Sequence, residues 1–182
     1  MYEPRNSVLA TIGRTPGRLE GRMREPVIAL HCSGADGGQW RRLGEALGPR
    51  YELFAPSFYG CGLAGHWPGE RAFSLAAEAD PIVAIVDRLD GPVHLVGHSY
   101  GGGVALEVAH ARPDAVASLS LYEPSSFHLL RQLGGRAAAE LAEIETVAGT
   151  IRSGPVTGAY HAAAAAFVGY WNGAGAWEAL TP

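Results

Sequence analysis

The sequence predicts an α/β fold: a mainly parallel sheet with flanking helices, followed by a purely helical segment. Three observations predict it. Short apolar runs of buried-strand length, such as "PVIAL" (Pro26 to Leu30), alternate with helical patterns as far as Pro124. After Pro124 only helical periods follow. The composition, 47% hydrophobic and 18% charged over 182 residues, is that of a globular chain with a sizeable core.

In chain order, "SVLATIG", "RTPG" and "RLEGRM" read as two short strands around a Pro-Gly turn. "PVIAL" is a buried strand that runs into the small-residue loop "HCSGADGGQW". "WRRLGEAL" is a short helix stopped by "GPR", and "YELFAP" is the next strand. "SFYGCGLAGHWPGERA" is a long Gly/Pro-rich loop. "FSLAAEADPIVAIVDRL" has a helical period with Pro81 inside it, so a kink or a fresh start is expected there. "GPVHLVGHS" is a strand, "YGGGVALEVAHA" a helix closed by Arg112-Pro113, and "AVASLSLYEP" ends in a strand. "FHLLRQLG", "GRAAAELAEIETVAGTIRS" and "VTGAYHAAAAAFVGYW" are helical in period. The organisation is therefore residues 1–124 as an α/β part and residues 125–182 as a helical cap segment.

Charge and cysteine content narrow the function classes. A net charge of -4, with every basic residue an Arg, gives no reason to expect a nucleic-acid partner. No basic segment followed by a long apolar run opens the sequence, and no apolar run is long enough to span a bilayer. Cys32 and Cys61 have neither metal-site spacing nor the density of a disulfide scaffold, so free thiols in a reducing cytoplasm are expected. Neither a metal nor an organic cofactor is implied. The letters of a dinucleotide fingerprint occur at Gly60, Gly62 and Gly65, but "HWPGER" follows where a helix should receive the phosphates.

The chemistry lies in "LVGHSYGGGVAL". A serine between two glycines, at the turn from an apolar strand to a small-residue helix, is an activated-nucleophile pattern. Gly97 and Gly101 flank Ser99 because side chains there would meet the neighbouring strand and helix. The backbone N–H of Tyr100 then sits at a helix N-terminus, where it suits a developing oxyanion. The loop after "IALH" can supply a second N–H, and Ser33 is the candidate donor.

On "LHCSGADGGQW", "FAPSFYGCG", "VHLVGHSYGGGVALEVAHARPDAV" and "LSLYEP", the chain resembles the α/β-hydrolase superfamily. "FVGYWNGAGAWEAL" is similar to part of the helical cap of some members. The resemblance covers nearly the whole chain and implies a serine hydrolase fold with a lid, with Ser99 as nucleophile. Two positions depart from the pattern. Cys32 stands where a Gly is common after the His, and Ser57 where an Asp is common before the Gly-x-Gly loop.

A serine nucleophile needs a base, and the family order places an acid and then a His downstream. Of the seven histidines, His110 lies eleven helical residues from Ser99, roughly 16 Å away. His98 adjoins Ser99 but should diverge from it, His31 opens the oxyanion loop, His66 is on a loop and His94 is inside a strand. His128 lies just past a strand end at the edge that carries Ser99, and His161 sits on a cap helix with nothing to orient its ring. None is a convincing base. Glu123, at the end of the strand that follows, is the candidate acid among the residues present. The base is expected beyond Pro182, in two further strand–helix units of on the order of 60 residues. The expected function is hydrolysis of an ester-like or other carbonyl small molecule through an acyl-enzyme, with this chain a fragment inactive by itself. The alternative is a small-molecule-binding protein of the same fold without catalysis.

Overall fold

The computed structural model describes residues 18–19, 22–69 and 72–180. The stretch "SVLATIG" and its Pro-Gly turn lie outside the described residues. Two-residue strands β1 (Arg18–Leu19) and β2 (Arg22–Met23) pair antiparallel, with Leu19 opposite Arg22. "RLEGRM" therefore forms both arms of a small hairpin and not the single strand expected.

Four strands make the main sheet: β3 (Glu25–Leu30), β4 (Tyr51–Phe54), β5 (Val93–His98) and β6 (Val116–Tyr122). All three pairings are parallel, in the order β4-β3-β5-β6. The chain steps outward from β3 to β4, then returns past β3 to lay down β5. The order thus reverses between β3 and β5, and a crevice opens at the carboxyl ends of strands at such a switch point.

Between the strands run a 3-10 turn (Gly37–Trp40) with α1 (Arg41–Ala46), then α2 (Leu75–Val86), then α3 (Tyr100–Ala111). The Ser74 hydroxyl accepts from the Ala77 N–H and caps α2. Pro81 does not break α2, which runs through it. An interior proline costs about 3 kcal/mol. Ile82, Ile85 and Val86 on the same helix are almost fully buried, and each contributes about 1.5–3 kcal/mol. Packing outweighs the proline.

The core is one cluster in which Ile28 and Leu30 of β3, Val93 and Leu95 of β5, Ile82 and Ile85 of α2, and Val104 and Val108 of α3 meet. On β3 every residue from Pro26 to Leu30 is buried, whereas β6 is largely exposed.

The chain divides into two compact units, Met1–Ser125 and Ser126–Pro182. The second contains α4 (His128–Leu133), α5 (Ala138–Thr157) and α6 (Tyr160–Asn172). Helix α5 extends beyond its expected end, through Pro155, and stops at Gly158 in the left-handed conformation. Pro155 is exposed in the last turn, where water can take the carbonyl bond it forfeits. Gly154 is buried where α5 meets Ala163 of α6.

Candidate active site

The site is built from the ends of β3 and β5. Ser99 joins β5 to α3 with φ 51° and ψ -115°, a conformation that only glycine adopts without strain. Holding it costs on the order of 1–3 kcal/mol. The surrounding bonds hold it there. Its N–H donates to the Tyr122 carbonyl at 2.9 Å, and its carbonyl accepts from Gly102, Gly103 and Ser125. The flanking glycines are required by close approach. A Cβ on Gly97 would lie 2.6 Å from the Gly101 carbonyl oxygen, and one on Gly101 would overlap the carbonyl of Leu30.

The loop after β3 lies against this turn, since the Gly101 N–H donates to the His31 carbonyl at 3.1 Å. Ser33 follows in a turn closed by the Ala35 N–H on the Cys32 carbonyl. Among the described residues, neither the Ser33 N–H nor the Tyr100 N–H donates to another residue. Ser57, the departure noted above, has a use of its own: its hydroxyl accepts from the Gly37 N–H and ties the two loops together. An open cleft of about 430 Å³ lies beside this turn, lined by Gly34, Ala35, Asp36, Gln39, Cys61 and neighbouring glycines. Ser99 does not line it.

Glu123 stands one residue past the β6 position that pairs with His98, so it sits at the strand end adjoining Ser99. It is exposed, and its φ is 45°. Ser99 and Glu123 are the two non-glycine residues with positive φ among the described residues.

The histidines sort themselves by their partners. His31 is fully buried; its Nε2 accepts from the Phe58 N–H, so Nδ1 carries the proton and donates to the Cys32 carbonyl. Burial holds its pKa below the ordinary histidine value. His94 bonds Ser118 and Glu25 at the start of β5, the far end of that strand from Ser99. His98 bonds Gln39 and packs on Tyr122. His110 is in the last turn of α3 and His66 in the loop after β4. In the helical unit, His128 lines a cavity of about 220 Å³ with Phe127, Arg131 and Ile144, and His161 packs edge-on to Trp177. Among the described residues no side chain bonds the Ser99 hydroxyl.

Beneath the site is a residue the sequence reading passed over. Glu78 of α2 is 3% exposed. Its carboxylate accepts from the Tyr59 N–H and from the Tyr100 hydroxyl, both at 3.0 Å. Burial raises its pKa, and the two donors pull against that rise. Burial, then the Glu78 charge, raises the Tyr100 phenol. The signal was present: Glu78 precedes Ile82 and Ile85 on the apolar stripe of its helix. Gln39 carried no such signal.

Gly60, Gly62 and Gly65 lie in a loop closed by the Gly60 N–H on the Gly65 carbonyl, and the next helix starts only at Leu75. Cys32 and Cys61 are free thiols, both raised in pKa by burial. No group of three or more His, Cys, Asp or Glu side chains could hold a metal among the described residues. Nor is any described helix long and apolar enough to cross a membrane.

A family model described as alpha/beta hydrolase fold matches residues 25–145. The lipase LipV of Mycobacterium tuberculosis is 38% identical over 100 residues, which cover 54% of this chain and 37% of that protein. The dihydrolipoyllysine-residue acetyltransferase component of the acetoin cleaving system of Pseudomonas putida is 35% identical over 107 residues, covering 57% of this chain and 28% of that one. Among solved structures, the thioesterase domain from the curacin biosynthetic pathway shares the fold with a TM-score of 0.52 and 24% identity, over 63% of this chain and 49% of that chain. The chain thus spans well under half the length of the curated relatives it matches.

Proposed function

The chain belongs to the α/β-hydrolase fold family, and on that premise we propose that it carries the nucleophile of a serine hydrolase acting on ester-like or other carbonyl small molecules. Ser99 attacks the carbonyl carbon as a base takes its proton. The carbonyl oxygen gains the charge, and the N–H groups of Tyr100 and Ser33 hold it. The bond to the leaving group breaks, the base returns the proton to that group, and water then releases the acyl chain from Ser99 by the same steps.

The backbone of Ser99 carries this reading. A serine held at φ 51°, followed directly by the unbonded Tyr100 N–H, is strain kept at a place where chemistry can use it. Glu123 is the proposed acid, since its strand end adjoins that of Ser99. The base is none of His31, His94, His98 and His110, since the first three are each held by other partners and His110 is a helix length away. The relatives' longer chains leave room for it. Their printed names differ in reaction, as expected of one scaffold carrying exchangeable loops. The free thiols support a reducing, cytoplasmic setting.

The unpartnered Ser99 hydroxyl favours a second reading, a pocket that binds small molecules without turnover. A fluorophosphonate probe separates the two. Stoichiometric labelling of the intact protein, lost in Ser99→Ala, is the expected result. A folded protein that stays unlabelled sinks the hydrolase reading. The 182-residue chain alone should turn over esters very weakly or not at all.

A further inference from the structure

Gln39 joins the two loops that carry the oxyanion donors. Its Oε1 accepts from the Cys32 N–H at 3.0 Å, and its Nε2 lies 3.1 Å from His98 Nδ1. Only the amide oxygen can accept from a backbone N–H, so the side-chain orientation is fixed by Cys32. The amide nitrogen must then donate to His98. Nδ1 is therefore the lone-pair nitrogen, and the neutral ring keeps its proton on Nε2. The other face of the link is also held, because the His98 ring packs on Tyr122 at 5.1 Å between centroids.

Three consequences meet at one side chain. The Cys32 N–H is already used, whereas the Ser33 N–H beside it is not. His98 is covalently next to Ser99, so a hold on its ring is a hold on the turn. Gln39 itself is half-buried in the 3-10 turn whose first N–H is bonded by Ser57, so its own backbone is anchored.

We propose that Gln39 is a positioning residue: its carboxamide clamps the Cys32–Ser33 loop to the His98–Ser99 turn and so sets the spacing of the two oxyanion donors. The proposal rests on Ser99 being the nucleophile for its effect on rate, but not for the bridge itself.

Nitrogen-15 spectra of the His98 ring in the intact protein test the bridge directly. An unprotonated Nδ1 and a protonated Nε2 are expected; a neutral ring with its proton on Nδ1 overturns the bridge. Gln39→Met keeps the length and removes both polar ends. Fluorophosphonate capture of Ser99 and kcat for ester turnover should fall about tenfold, less than the loss from deleting a donor, with KM within about twofold. Capture at the wild-type rate overturns the positioning role. Gln39→Glu still accepts from Cys32 but offers His98 a carboxylate in place of a donor. The ring proton should then move from Nε2 to Nδ1 to meet that carboxylate, a change of tautomer read in the same nitrogen-15 spectra. A tautomer unchanged from wild type counts against the proposal. If wild-type Ser99 is not captured at all, the hydrolase reading fails while both His98 readouts still judge the bridge.

Discussion

Glycine lets two pieces of chain touch in each unit of this molecule, and the two contacts are unlike. In the α/β unit, a Cβ on Gly101 would run into the main-chain carbonyls of Leu30 and His31. In the helical unit, a Cβ on Gly154 would run into the methyl group of Ala163. The first obstacle is backbone, already committed to the sheet and to the Gly101 N–H bond. The second is first of all one small side chain on the next helix, with the Ala159 carbonyl oxygen at 3.3 Å behind it. The Ser99 turn is thus fixed by main-chain atoms alone, while the helical pair is fitted chiefly by the size of the Ala163 side chain.

The contrast is open to direct attack, and the largest effect should come from Gly101→Ala. With no flexible end to move aside, the substitution should cost about 4 kcal/mol in urea unfolding and abolish fluorophosphonate capture. No second side-chain substitution should restore it. Gly154→Ala should cost only about 1 kcal/mol, because the helix gain of alanine over glycine, about 1 kcal/mol, offsets part of the overlap. Here the double variant with Ala163→Gly should show a coupling of about 1 kcal/mol or more. Additivity in that cycle would mean that the two helices do not meet at Gly154. The smallest effect concerns Glu78 and appears only as a function of pH. Its carboxyl is raised above an ordinary value near 4.5, so the folded state holds that proton more tightly than the unfolded one. Stability from this group is present below pH 4.5 and lost as pH rises through the raised value. Glu78→Gln should therefore gain stability relative to wild type over that window, read as a growing difference in urea midpoint; a constant difference would contradict it.

Much of this was legible in the chain. "PVIAL" and "GPVHLVGHS" declared themselves as strands because burial on a parallel sheet demands apolar runs. The turn at Ser99 was legible because Gly97 and Gly101 stand where the backbone makes close approaches. Less legible were features decided by partners distant in sequence. Pro81 and Pro155 read locally as helix breakers, yet one is overridden by the packing of Ile82 and Ile85 and the other lies where solvent can satisfy the lost bond. The "RLEGRM" hairpin was hidden because two-residue strands have no period to detect. Gln39 looked like one more polar residue in a glycine-rich loop, since nothing local announces a bond to His98, 59 positions away.

The buried histidine and the buried glutamate have one more consequence. His31 and Glu78 are the buried polar side chains of the described structure, and both face the Phe58–Tyr59 segment through its backbone N–H groups. Their titrations pull in opposite directions. His31 is held neutral, so its contribution is complete above pH 6.5 and is lost as pH falls through its lowered value. Glu78 contributes most below 4.5 and loses ground as pH rises. A proton on His31 ends its bond to the Phe58 N–H, because Nε2 then donates, whereas a proton on Glu78 removes a buried charge. One short segment thus leans on one group that acid unsettles and on another that acid relieves of its charge.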